Sequence, residues 1–187
     1  MIQSVETDDV DSPFLIENKE ICEFWDKFIS NKGGSARGKY TAWAFQLKGK
    51  FQSHYNWNIS LKKSSSTSGS LTVSNDEMVF KQALFVAASV NLGTSNFILR
   101  KSRFTDRLKK LLKMEITRIN SKSKYVLDGT LTNKHLKELK KILNEPIQNG
   151  HLEFVKYTAS TRELTIDIRS FAYTSIAERI VSYGEDH

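Results

Sequence analysis

The chain holds one cysteine, Cys22, in 187 residues. A single thiol excludes an intrachain disulfide and a thiolate zinc cluster. No apolar run reaches the roughly 18–20 residues that a membrane-spanning helix needs. The N-terminus, MIQSVETDDVD, lacks the basic-then-apolar order of a signal peptide, so a cytoplasmic setting is expected. Histidine is scarce too. His54, His135, His151 and His187 stand apart from one another and from any cysteine or acid at ligand spacing. There is no nucleophile–base–orienter set and no pair of carboxylates. The sequence therefore offers no catalytic residue, no metal site and no cofactor motif.

What is present is a foldable core and an uneven charge. Leu, Ile, Val and Phe make up 51 residues, well above the roughly 20% of disordered chains. The formal net charge is +7. Residues 1–25 carry −6, 26–95 carry +6, 96–145 carry +9 and 146–187 carry −2. An acidic head precedes a basic middle, and that middle suits either solvent or an anionic partner.

Along the chain, residues 1–17 read as an acidic flexible tail and 18–187 as a single α+β domain. Ile21, Phe24, Trp25, Phe28 and Ile29 recur at helical spacing, with Asn18 as N-cap and Gly33-Gly34 as the stop. A strand or short helical entry is expected around Thr41–Leu47, then a hairpin whose second arm is Asn56–Lys62, where apolar and polar residues alternate. The serine-rich run 64–70, SSSTSGS, reads as a loop. Met78–Leu92 reads as a long strand, and a Gly93 turn leads into Phe97–Lys101. A basic helix follows from Ser102 or Thr105, then strands over Met114–Asn120 and Lys124–Thr130. Thr132 or Asn133 caps a helix through Leu143, which Pro146 ends. Leu152–Tyr157 and Glu163–Ile168 form a hairpin, and a capping box at Ser175 and Glu178 opens a last helix.

Two motifs invite sharper readings. Gly33–Tyr40, GGSARGKY, matches a phosphate loop as far as Lys39, but Tyr40 replaces the hydroxyl residue that holds magnesium. A helix precedes it and a strand-like run follows, the reverse of what converging amides need, so a helix stop is the better reading. The second motif is the pair of basic helices. Arg103, Arg107, Lys110 and Lys113 share one helix face, Arg100 of the preceding strand is expected along the same surface, and Lys134, Lys137 and Lys141 are expected to extend it. Such a surface binds phosphates by charge, with strong salt dependence. Tyr40, Trp43, Tyr55 and Trp57 are aromatics suited to stacking on bases, although core packing accounts for most of them. Cys22, flanked by Glu20 and Glu23, reads as a small buried hydrophobe.

The order NFILRKSRFTDRLKKLL, KYVLDGTLTNKHLKELKKIL, EFVKY and ELTIDI resembles a pattern of uncharacterised bacterial proteins. In that pattern a strand ends in Arg-Lys, here Arg100-Lys101, and a helix opens Asp-Arg-Leu, here Asp106-Arg107-Leu108. The resemblance spans Leu47 to Ile168. It implies a basic soluble domain, often tethered behind membrane helices, and no activity.

The expectation is an α+β fold, a mostly antiparallel sheet with three to four amphipathic helices packed on it. The function expected is that of a non-catalytic soluble interaction module with no cofactor. The alternative is binding of nucleic acid or an anionic surface through the basic helical faces. A protein, an anionic membrane surface and a nucleic acid are the partner classes in view.

Overall fold

The computed structural model describes residues 2–5, 11–51, 57–70, 73–103, 106, 117–118, 124–170 and 177–180, with side chains described outside 65–80 and 117–118. Two compact units emerge: Met1–Phe85 with Arg169–Phe171, and Val86–Ile168 with Ala172–His187. Strands and helices coexist around mixed pairing, which makes the fold α+β.

In the first unit, a helix α1 (Pro13–Asn31) follows a short strand β1 (Ile2–Ser4). The segment expected as a tail thus contributes a strand and the first helical turn. Asn18 is not the N-cap. The helix starts five residues earlier, with Ser12 extended and Pro13 at the first helical position, where its fixed φ suits the helix and its missing N–H costs nothing. The stop is where the glycines put it. Gly33 adopts a φ of 71°, and the Gly34 N–H reaches back 2.9 Å to the Ile29 carbonyl. Asn18, Cys22, Trp25 and Ile29 form the buried stripe. Phe24, expected inward, is 51% exposed, because it sits beside that stripe and not on it. Phe28 is half-buried and meets both Trp25 and Phe51 edge-on, with centroids 5.5 and 6.0 Å apart.

Three strands carry this helix: β2 (Ser35–Tyr40), β3 (Ala44–Lys50) and β4 (Asn58–Ser70). GGSARGKY is therefore mostly strand, so no helix N-terminus stands after it to receive a phosphate. β1 pairs parallel to β2, while β2–β3 and β3–β4 are antiparallel. Thr41 closes the β2–β3 turn: its N–H donates to the Ala44 carbonyl at 2.8 Å, and its Oγ1 accepts from Ala44 N–H at 3.0 Å. The serine-rich run 64–70 corrects the loop reading, since it is the second half of β4. Pairing within the sheet, with Ser64 opposite Ala44 of β3 and the next strand on the other side of β4, overrides the weak preference of serine. Alternation along β3 buries Phe45, Leu47 and Gly49 towards α1. A Cβ at Gly49 would collide with Ile29 Cδ1, so glycine lets helix and sheet approach closely here.

The fifth strand, β5 (Val73–Ala87), contains the boundary between the units. In the second unit β6 (Phe97–Lys101) lies between β8 (Tyr125–Gly129) and β9 (Leu152–Thr158). β7 (Thr117–Arg118) pairs with β8, and β10 (Glu163–Ile168) with β9, all antiparallel. Tyr157 stacks on Phe97 at 5.7 Å, and its hydroxyl lies 3.2 Å from both the Val90 and Gly93 carbonyls. That contact ties down the Gly93 turn.

The helix α2 (Asn133–Ile142) is capped by Thr132, whose hydroxyl accepts from the His135 N–H at 3.3 Å. Leu139 and Leu143 are buried. A short helix α3 (Asn144–Gln148) follows, with Pro146 in its first turn, where a missing N–H is tolerated. Of the last expected helix, residues 177–180 are described and helical, with Ala177 and Ile180 buried.

Candidate anion-binding surface

The basic residues singled out from the sequence occupy different situations. Arg100 is only 13% exposed and is held by two carboxylates. It donates to Asp106 at 2.7 and 3.0 Å and to Asp128 at 2.8 Å. The bonds to Asp106, joined by the bond to Asp128 and acting against the burial that would lower it, hold its guanidinium above the ordinary range. Its charge is answered locally. Arg103 is exposed, and its backbone N–H donates to Asp106 Oδ2 at 2.6 Å. Arg107, Lys110 and Lys113 lie outside the described residues, and so does their expected convergence with the second helix. Lys134, Lys137 and Lys141 are exposed on one side of α2.

A different set of cations stands together in the first unit. The β2–β3–β4 ladder aligns three rows on the face turned away from α1. Ser35, Lys50 and Asn58 form the first row, Arg37, Lys48 and Ser60 the second, and Lys39, Gln46 and Lys62 the third. Gln3 of β1 lies beside Lys39. Arg37, Lys39, Lys48, Lys50 and Lys62 are all exposed. The rows between them point the other way: Ala36, Leu47, Ile59, Leu61 and Phe45 are buried. Alternation thus separates an apolar face under α1 from a polar face open to solvent.

This open face has five cations and no acid among the described side chains of β1 to β4. None of the five forms an ion pair among the described residues. Other cations of the same molecule are paired: Lys63 with Glu17 at 3.3 Å, Lys101 with Glu153 at 2.6 Å, and Arg100 as above. Arg37 and Lys48 are direct cross-strand partners, an arrangement that like charges disfavour.

The signal for this surface was in the sequence. Arg37 and Lys39, then Lys48 and Lys50, stand two apart, the strand period. Reading 33–40 as a helix stop concealed the first pair. The aromatics fare differently. Trp57 is fully buried, Tyr40 is half-buried, and Tyr55 lies outside the described residues. Trp43 is 48% exposed and packs on Phe14 with ring centroids 6.1 Å apart.

Burial, with Glu23 adding to it, pushes the Cys22 thiol up to about 12, which leaves it protonated and unreactive at neutral pH. Among the described residues no group of three His, Cys, Asp or Glu is gathered for a metal, and no helix is long and apolar enough to cross a membrane. No protein-family model, curated protein or solved structure matches the chain.

Proposed function

We propose that the chain is a non-catalytic binding module that holds a polyanion on the open sheet face of its first unit. The observation that carries this reading is the five exposed cations on one face, with no acid among the described side chains of β1 to β4 and Arg37 placed opposite Lys48. Their mutual repulsion disfavours the bare face, and an anion laid across it removes that penalty. Affinity of this kind is electrostatic, falls with salt, and needs no pocket. The exposed lysines of α2 form a second, smaller cationic stripe, and they provide the comparison that tests the assignment.

The test is elution from immobilised heparin. The triple variant R37Q/K48Q/K50Q and the triple variant K134Q/K137Q/K141Q each remove three positive charges. The sheet variant is expected to elute at much lower salt than the helix variant. Equal shifts would mean that net charge alone governs retention, and a larger shift for the helix variant would move the site to α2.

A further inference from the structure

We infer that the polyanion held on this sheet face is a nucleic-acid backbone, bound without stacking of its bases; the inference rests on the polyanion-binding reading above. Three features of the face favour this partner over a lipid surface.

The first is what lies between the cations. Gln46 stands between Lys39 and Lys62, Ser60 beside Lys48, and Gln3 beside Lys39. Amide and hydroxyl side chains donate to phosphate and sugar oxygens and set the register of a strand on a protein surface. A fluid layer of lipid head groups has no fixed register for such groups to set.

The second is where the exposed apolar side chains are. Membrane-seated surfaces combine basic residues with apolar ones that enter the lipid on the same side. Here Phe14, Ile16 and Phe24 belong to α1, and Trp43 packs on Phe14. α1 lies on the other side of the sheet, where Ile29 meets Gly49. Among the described residues Val5, just past β1, is the exception; the other four exposed large apolar side chains lie away from the charge.

The third is the absence of an aromatic among the described side chains of the basic face. Sheets that read single strands by stacking present aromatic rings on the binding face. This one presents a band of cations, neighbours about 5 Å apart across strands and ~7 Å apart along them. Such a band suits the charged ribbon of a backbone and is indifferent to base identity.

The experiment uses the full chain and fluorescence anisotropy, with a short labelled duplex of mixed sequence, its separated strand, and a second duplex of different sequence. Vesicles of phosphatidylcholine and phosphatidylserine are compared at equal accessible anionic charge. Oligonucleotides are expected to bind at least tenfold more tightly than vesicles, the two duplexes within about twofold of each other. The duplex affinity should fall with salt at a log–log slope of roughly −3.5 to −4.5, as for four or five neutralised phosphates. Each single change, K48Q or K62Q, should reduce that slope by about one while circular dichroism stays unchanged. Tighter binding to vesicles than to oligonucleotides would overturn this inference and leave polyanion binding standing. A strong preference between the two duplexes would overturn base-independent recognition. Failure to bind heparin, oligonucleotides and vesicles alike would remove both readings.

Discussion

Lys63 Nζ donates a 2.8 Å hydrogen bond to Asn18 Oδ1, joining β4 to the interior of α1. The same asparagine uses its Nδ2 to reach the Thr41 and Ala42 carbonyls, both at 2.9 Å. One fully buried side chain thus anchors a lysine and the turn between β2 and β3. Asn18→Ala leaves a buried ammonium with Glu17 alone and two carbonyls without their donor. A loss of about 2–4 kcal/mol is expected in urea denaturation. A loss below about 0.5 kcal/mol would show that water replaces the amide at little cost.

Lys48→Glu separates stability from binding. It converts a cross-strand repulsion with Arg37 into an attraction, worth roughly 0.2–1 kcal/mol in favour of the fold. Retention on heparin should fall at the same time. A variant that melts higher and binds less places Lys48 in the binding surface, because an indirect effect through unfolding would move both in the same direction.

Alkaline pH should weaken the fold. Folded Cys22 keeps its proton to about 12 against an ordinary 9.0, and burial, followed by Glu153, takes Tyr125 to about 12 against 10.0. Between those values the unfolded chain releases protons that the folded chain retains, so stability is fully present below pH 9 and declines above it. Urea midpoints at successive pH values should fall from pH 9 upward, and Cys22→Ala should flatten part of the fall. Native Cys22 should also resist alkylation at neutral pH and react readily in denaturant.

The two acids around Arg100 should behave unequally. Asp106 is 4% exposed and holds Arg100 through two hydrogen bonds, so Asp106→Ala is expected to cost about 3–5 kcal/mol. Asp128 is 44% exposed, and Asp128→Ala should cost under about 1 kcal/mol. Thermal unfolding of both variants checks the order, and comparable losses would mean that the network acts as one unit.

Much of the frame was legible in the residues. The period of 3.6 around Trp25 and Ile29, the Gly33-Gly34 stop, the Thr132 cap and the alternation in Phe97–Lys101 and Leu152–Tyr157 are local signals. Local geometry realises them wherever the chain goes. The candidate site was less legible. Its place in a basic run made Arg100 look like part of a binding face, yet Asp128, 28 residues away, shares in neutralising it. Nothing in the spacing of Arg100 reveals that partner.

The sequence by itself determined the α+β class, the inert thiol and the basic balance, because composition and short-range periodicity carry them. Tertiary structure decided which positive charges stay unanswered. Lys62 and Lys63 are neighbours of identical chemistry. The strand turns one to solvent beside Gln46 and the other inward to Asn18 and Glu17. That division depends on strand register and on where α1 packs, and both are set by contacts between residues far apart in the chain.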